Sequence, residues 1–369
     1  MTSLVEEVRS GHELDIVKLE AFLAKSMPDL ALPLSLKQFS VGQSNPTYLV
    51  CDRDGRKFVL RKKPAGQLLS KTAHAVEREF RVLQALGQHT EVPVPRVYAL
   101  CEDSDVVGTP FYVMEFLDGR ILPDVRLPEI RASERCTYWM ALVDTLALLH
   151  KVDYRRVGLE GFGRDGGYYK RQVQSLARIS EAQAAAIGPS GKLPHSERLR
   201  QWFADHECPD ETTVVHGDFK MDNVVWHPTD IRIIGILDWE LSTLGNPRSD
   251  LANMLQPLLI PFAADNSIAV FSGLKNAPRG EGAPTEDMLL ARYCRAMGRE
   301  YPPLDGWDYA KAFGLFRNAV IQQGIAARVA KGQASSSFAH LVGNMFPGTM
   351  DKAMRIADGL DAGRSRSKL

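Results

Sequence analysis

The feature that most constrains this chain is a short β island inside an otherwise helical half. Val214-Val215 is an apolar strand that delivers His216-Gly217-Asp218 into a loop. Asn223 follows five residues after Asp218 and stands directly before a second apolar run, Val224-Val225-Trp226. A further strand, within Ile231 to Leu237, ends on Asp238. Neighbouring strands that finish at the same edge bring their polar termini together. Asp218, Asn223 and Asp238 are therefore expected to converge on one point. Taken singly, Asp and Asn here read as ordinary turn residues. The spacing of all three makes them a candidate site.

Upstream of the island the pattern is strand-rich. Leu34 to Val41, Thr47 to Cys51 and Lys57 to Lys62 read as strands, with Asp52-Arg53-Asp54-Gly55 as the hairpin turn between the last two. A helix over Lys71 to Leu86 follows from Ala75, Val76, Phe80, Leu83 and Leu86 near helical spacing. Val97 to Cys101 and Phe111 to Phe116 read as two more strands, separated by a polar turn, Glu102 to Thr109. Beyond Asp118-Gly119 the period changes. Trp139, Leu142, Val143, Leu146 and Leu149 define a helix from Ser133 to Lys151, and more helices are expected at 168–185, 195–207, 247–258, 286–298, 307–331 and 337–358. The expected class is α+β, with a small antiparallel β lobe and one helix over residues 1–117 and a larger, mainly helical lobe over 118–369.

Composition limits the function classes. With 45 basic and 45 acidic side chains the formal net charge is zero, which argues against a protein built to grip nucleic acid. Five scattered cysteines without a C-x-x-C pair read as thiols in a reducing compartment, not as a disulfide frame or zinc site. The most apolar stretch, Leu251 to Ala264, is broken by Asn253, Gln256, Pro257 and Pro261. It falls short of the roughly 18–20 apolar residues that span a bilayer. The first residues lack a basic segment followed by an apolar run, so no secretory signal is read. The chain is expected to be cytoplasmic and to engage no membrane. Ser367-Lys368-Leu369 reads as a peroxisomal address if the source is eukaryotic and as a chance ending otherwise.

The convergent set suits phosphoryl transfer. Magnesium prefers hard oxygen ligands, such as one carboxylate and one amide carbonyl, while a separate carboxylate can orient a hydroxyl and accept its proton. The run His216-Gly217-Asp218-x4-Asn223, followed by Ile236-Leu237-Asp238-Trp239-Glu240, resembles the aminoglycoside phosphotransferase and choline kinase superfamily, of the bilobal protein-kinase-like fold. That resemblance implies ATP and Mg2+ as cofactors, Asp218 as catalytic base, and Asn223 and Asp238 as metal ligands. Phe39 to Tyr48 resembles the family's nucleotide-covering loop, with Gly42, Ser44 and Asn45 near the phosphates. Arg61 matches the basic residue of the third strand, where Lys is commoner. Glu79 fits its acidic partner on the following helix, with Glu77 as competitor. Tyr112 to Gly119 resembles the hinge, placing adenine against the backbone near Glu115, Phe116 and Leu117. Asp250 matches an acid that holds the catalytic loop.

Gly42-Gln43-Ser44-Asn45, Val59 to Pro64, Leu237 to Glu240 and Gln323 to Arg328 are similar to the kinase-like module fused to acyl-CoA dehydrogenases. The implied acceptor is a small hydroxylated molecule, with a hydroxyacyl-CoA or related metabolite as the analogy. Two other functions compete: a non-catalytic nucleotide- or CoA-binding pseudokinase, and an antibiotic phosphotransferase, whose polycationic substrate calls for an acidic pocket. Tyr168, Arg171, Arg317 and Gln323 are acceptor-side candidates, with core packing or solvation as the plainer reading of each. The oligomeric state has no signature in the sequence.

Overall fold

The computed structural model describes residues 5–40, 45–64, 75–264, 272–301, 304–334 and 338–366, with side chains through residue 359. The elements run β1 (Val5–Glu6), α1 (Ile16–Ser26), β2 (Ser35–Phe39), β3 (Thr47–Cys51), β4 (Lys57–Lys62), α2 (Val76–His89), β5 (Val97–Cys101), α3 (Ser104–Val107) and β6 (Phe111–Glu115). They continue through α4 (Ala132–His150), α5 (Tyr168–Ile187), α6 (Ser196–Asp205), β7 (Thr213–Val215), β8 (Val224–Trp226), β9 (Ile233–Ile236) and β10 (Thr243–Gly245). The last five are α7 (Pro247–Leu255), α8 (Glu286–Ala296), α9 (Trp307–Ala330), α10 (Ala339–Gly343) and α11 (Phe346–Arg366). This is the mixed architecture expected: an antiparallel N-terminal sheet and a helical C-terminal region. Two compact units arise from it. The first holds residues 1–162, 216–243 and 279–283, and the second holds 163–215, 244–278 and 284–369.

In the first unit, six antiparallel strands lie in the order β1-β2-β3-β4-β6-β5. Alternation sorts their side chains onto two faces. Tyr48, Val50, Phe58, Leu60, Ala99, Cys101, Phe111 and Val113 form one buried face, closed by Leu19 and Leu23 of α1 and Val107 of α3. Leu49, Val59, Tyr112 and Met114 take the opposite parity. There Tyr112 meets Phe80 of α2 edge-on, with ring centres 6.3 Å apart. Arg61 sits directly across from Tyr112 in the β4–β6 register, so it shares the α2 face. That parity is what aims Arg61 at α2.

The short strands β1 and β10 and the helices α1 and α3 go beyond the sequence expectation. Helix α1 is opened by Asp15, whose carboxylate accepts the Lys18 N–H, and it buries Leu19 and Leu23 one turn apart. The polar turn Glu102 to Thr109 contains the single-turn α3, opened by Asp103 and closed by Gly108. The expected helix from Lys71 starts at Val76 among the described residues, because 71–74 lie outside them. So do Gly42, Ser44 and Ser367-Lys368-Leu369.

The second unit is organised on α9, against which α5, α7, α10 and α11 pack. Ala310, Phe313, Phe316, Ala319, Val320 and Gln323 of α9 are all buried, as expected of a central helix that is apolar nearly all round. Phe203, Tyr169 and Tyr309 meet Phe313 or one another edge-on or tilted, with ring centres 4.9–6.4 Å apart. Gln323 is fully buried, and its amide donates to the Ser180 and Gly191 carbonyls at 3.2 and 2.7 Å. No helix of the described residues is long and apolar enough to cross a membrane.

Glu211 links three segments of this unit. It accepts from Arg248 at 2.7 Å and from Arg299 at 3.0 and 2.5 Å. Burial pushes its carboxyl up, but the hydrogen bonds from Arg299 and Arg248 more than reverse this and hold it below its ordinary value. A depressed carboxyl contributes stability above the unfolded pKa, near 4.3, and loses it as pH falls through the folded value. Arg248 is 4% exposed and Glu211 31%. Glu211→Gln is therefore expected to cost about 2–3 kcal/mol at pH 7, discounted from a fully buried pair. The difference between wild type and variant should shrink below about pH 4.5. Urea midpoints measured at both pH values check this, and a difference independent of pH would contradict it.

Candidate active site

The site is assembled within the first unit. Arg61 projects from β4 with 13% of its side chain exposed. Its Nε lies 3.2 Å from Glu79 Oε2, and its Nη2 donates to Asp238 Oδ1 at 2.7 Å and approaches Glu240 Oε2 at 3.4 Å. The Nε–H has no aligned acceptor, so the Arg61–Glu79 contact is coulombic. Burial alone would ease Arg61 toward deprotonation; Glu79 leads the charges that raise it instead, followed by Tyr112 and Asp238.

Glu79, from the first turn of α2, is 1% exposed. One of its oxygens accepts from the buried Asn45 amide at 2.9 Å, and the other from the Tyr112 hydroxyl at 3.1 Å. Burial pushes the Glu79 carboxyl up to about 7, against the opposing pull of Arg61 and the Tyr112 hydroxyl. The competitor Glu77 instead faces Lys63, at 3.8 Å. Asn45 thus engages its side-chain amide with Glu79.

The second part of the site is the loop between β7 and β8. Asn223 donates from Nδ2 to the Asp218 carbonyl at 2.9 Å and to Asp218 Oδ2 at 3.1 Å. With its nitrogen so engaged, the Asn223 amide is left with its oxygen as the outward donor atom. Lys220 stands 3.4 Å from both Asp218 Oδ2 and Asp222 Oδ2. Burial would lower the Lys220 amine, but these two carboxylates raise it and keep it cationic. Sequence reasoning passed over Lys220 and Asp222, although the alternation Asp218, Lys220, Asp222 was visible. It also gave no role to Glu240.

His216 straps the loop to the end of β9. Its Nε2 lies 2.8 Å from the Leu237 carbonyl, and the Asp218 N–H donates to Nδ1 at 3.1 Å. A ring that donates from Nε2 and accepts at Nδ1 is the neutral imidazole with its proton on Nε2. The ring is fully buried, 4.8 Å from the Trp239 ring centre. Gly217 follows with φ +85°, where an added Cβ would meet the Leu241 carbonyl and side chain. Asp238 itself adopts φ 65°, a left-handed conformation that costs a non-glycine residue about 1–2 kcal/mol. Such strain is characteristic of functional turns, and here it closes the strand on its terminal carboxylate.

Glu115 ends β6, and its N–H donates to the Arg96 carbonyl at 2.7 Å, so that amide is not available to a base. Phe116 and Leu117 lie in the connection that follows. Among the described residues no cluster of three or more His, Cys, Asp or Glu side chains could enclose a metal. The oxygens of Asp238 and Asn223 nevertheless fit magnesium, which keeps several waters and is commonly held by one or two protein ligands plus substrate phosphates.

Of the acceptor-side candidates, Tyr168, Arg171, Arg317 and Gln323 all belong to the second unit. Arg171 is bound to the backbone carbonyls of Gly166 and Arg164, and Gln323 to those named above. The same unit carries an open cavity of about 1260 Å³ bounded by Tyr169, Gln174, Arg200, Cys208, Asp305 and Tyr309. It holds none of the residues expected to transfer phosphate.

Comparison with known proteins identifies the family and the fold. Residues 35–307 match the model of the phosphotransferase enzyme family, APH. The chain is 42% identical over 315 residues to mouse acyl-CoA dehydrogenase family member 10, covering 85% of this chain and 28% of that protein. It is 37% identical over 365 residues to chicken acyl-CoA dehydrogenase family member 11, covering 96% and 45%. It therefore spans less than half the length of these relatives. A crystal structure from Ralstonia eutropha JMP134, named by inference as an aminoglycoside phosphotransferase, superposes with a TM-score of 0.81 at 35% identity, covering 94% of this chain and 99% of that one. The ternary complex of aminoglycoside phosphotransferase APH(4)-Ia with AMP-PNP and hygromycin B shares the fold, with a TM-score of 0.55 at 16% identity over 93% and 99% of the two chains. The fold and family match place this chain among the phosphotransferases of kinase-like fold. It belongs to the APH phosphotransferase family and is similar to a portion of the acyl-CoA dehydrogenase family members 10 and 11.

The His216 strap yields a direct test. His216→Leu leaves the Leu237 carbonyl and the Asp218 N–H unpaired, and each such loss costs about 1–3 kcal/mol. The expected outcome is a lower urea midpoint together with loss of hydrogen-exchange protection at the Asp218 amide. Unchanged protection at that amide would show that the strap is not formed.

Proposed function

We propose that this protein transfers the γ-phosphate of ATP to a hydroxyl of a small molecule. The observation that carries the reading is the Asp218–Asn223 pair fixed by hydrogen bonds, with Asp238 tied to the same loop through His216 and Leu237. In this reading residues 1–117 form the nucleotide-binding lobe and residues 118–369 the catalytic and acceptor-binding lobe. Asp218 accepts the acceptor's hydroxyl proton as that oxygen attacks the γ-phosphorus; the bond to the bridging oxygen breaks and its electron pair leaves with ADP. Asn223, through its carbonyl, and Asp238, through its carboxylate, would hold magnesium, whose charge would offset that of the phosphate oxygens.

Arg61, positioned by Glu79, donates to the nucleotide phosphates, and a guanidinium can do so bidentately. Gly42, Ser44 and Asn45 cover those phosphates with backbone amides. The backbone at Glu115, Phe116 and Leu117 borders adenine, with the Glu115 carbonyl rather than its amide in contact. Support for ATP and a small-molecule acceptor comes from the shared fold, since AMP-PNP and hygromycin B are bound by APH(4)-Ia. Similarity to acyl-CoA dehydrogenase family members supports a hydroxylated acyl metabolite, such as a hydroxyacyl-CoA, as the acceptor class. Function is grafted on a fold, so the acceptor must be tested directly.

Asp218→Ala is expected to lower turnover by about 10²- to 10⁴-fold, the range supplied by a positioned general base. It should leave thermal stabilisation by Mg·ATP in place. Asp238→Ala is expected to abolish the magnesium-dependent part of that stabilisation. Transfer from radiolabelled ATP and thermal shift with ATP, with and without Mg2+, check both. Full turnover by Asp218→Ala would overturn the assigned base, and absence of any Mg·ATP shift or ATP consumption by wild type would favour a non-catalytic binding module.

A further inference from the structure

Helix α2 carries two arginines, Arg78 and Arg81, that reach to backbone carbonyls of distant segments of the first unit. Arg81 is exposed, and its Nη2 donates to the Gly158 and Glu160 carbonyls at 3.0 and 2.8 Å. Arg78 is half-buried, with its guanidinium 4.3 Å over the ring of the buried Phe162. Its Nη2 carries two hydrogens, one toward the Phe162 carbonyl at 2.7 Å and one toward the Ser242 carbonyl at 3.4 Å. Arg78 makes no ion pair within 4.0 Å with any described residue. Two carbonyl dipoles and the face of an aromatic ring match its charge instead.

Ser242 closes the short turn that begins at Asp238, and its N–H donates to the Trp239 carbonyl at 3.0 Å. Trp239 is held from the other side. Its indole N–H donates to the Ile236 carbonyl at 2.9 Å, and its ring centre stands 4.8 Å from that of His216. Leu241 abuts Gly217, where an added Cβ would meet the Leu241 carbonyl at 2.5 Å. The turn therefore has Asp238 at its entrance, the residues just before Asp218 along its side and Arg78 at its exit. Arg78 is also the residue before Glu79. One guanidinium thus ties the helical turn that bears Glu79 to the segment that bears Asp238. These are the two carboxylates that Arg61 meets at 3.2 and 2.7 Å. Asp238 and Glu240 both add to the upward push on the Glu79 carboxyl, so the three acids repel one another across the site.

We infer that Arg78 is a positioning residue for Mg·ATP binding, holding the turn of α2 that bears Glu79 against the Asp238 turn. This rests on the phosphotransferase reading above. In that reading Arg61 donates to the nucleotide phosphates, which draws it away from the acids it now holds together. The link through Arg78 does not pass through Arg61, so it persists when phosphate competes for that guanidinium. Arg78 acts through Glu79 and Asp238, not by contact with nucleotide or metal. Arg81 fastens the same helix only to the 158–160 segment, which bears no group of the site.

The test is the Mg·ATP dissociation constant of the full chain, measured by isothermal titration. Arg78→Met keeps an unbranched side chain against Phe162 and removes both donors. It is expected to weaken Mg·ATP by about ten- to a hundredfold, the range typical when a group that orients a metal ligand is lost. Arg78→Lys keeps the cation near the ring but cannot span both carbonyls, and it should bind with an affinity between the two. Arg81→Met loosens the same helix but leaves the Asp238 turn alone, and it should bind as wild type does. Combined with Glu79→Gln, Arg78→Met should add less than its effect in the single variant, because both changes break one placement.

Unchanged Mg·ATP binding by Arg78→Met overturns the inference while leaving the phosphotransferase reading in place. So does equal weakening by Arg81→Met, which would reduce Arg78 to general support of the helix. Full additivity of Arg78→Met with Glu79→Gln overturns it as well, since the two would then act separately. Should Arg78→Met prove unfolded by circular dichroism, Arg78→Lys decides, and binding equal to wild type overturns the inference. Absence of Mg·ATP binding by wild type fails the phosphotransferase reading first and this one with it.

Discussion

A guanidinium that has lost most of its water must be matched by carboxylates, and in this protein that requirement falls on Arg61. It stands among Glu79, Asp238 and Glu240, which come from a helix and from the loop after β9. No local interaction could bring these groups together, because 177 residues separate Arg61 from Asp238. The single cation therefore fixes β4, α2 and the end of β9 against one another. Its acids outnumber it, and around the neighbouring loop Lys220 likewise faces both Asp218 and Asp222. The surplus negative charge is what a site for a divalent cation requires.

Rigidity in the same region comes from neutral hydrogen bonds. His216 uses both ring nitrogens on backbone groups, one in its own loop and one just ahead of Asp238. Gly217 is demanded by the left-handed turn and by the closeness of Leu241. Asp238 holds a conformation that a non-glycine residue adopts only under constraint, and the flanking strap and the Arg61 contact supply it. One residue before Glu79 on α2, Arg78 lies 4.3 Å over the Phe162 ring and donates to the Phe162 and Ser242 carbonyls. The helix carrying Glu79 is thus anchored to the segment just past the Asp238 turn.

The second unit answers a different requirement. Its central helix α9 is buried on most faces, so a polar group left on it without a partner stands out against an apolar background. Gln323 resolves this by donating to two carbonyls, and on α7 Arg248 is matched by Glu211. Relatives that share the fold at low identity bind hygromycin B in one instance, whereas the relatives sharing 37–42% identity are acyl-CoA dehydrogenase family members. The fold is common to both.

The sequence alone determined the strands β3 to β6, the convergence motif from His216 to Asp238 and the family, because these depend on short-range alternation and fixed spacing. It also carried the signal for α1, with Asp15 as its cap and Leu19 and Leu23 one turn apart, although that helix was not foreseen. Glu79 and Glu77 are both acids on the first turn of one helix, and sequence could name both but rank them only by analogy. Burial against Tyr112 and Asn45 gave the pair with Arg61 to Glu79 and left Glu77 facing Lys63. The contacts of Lys220 and Glu240 and the backbone engagement of Glu115 were likewise settled only in three dimensions. Each depends on which groups from distant segments share a low-dielectric space. Periodicity within one segment carries no information about that.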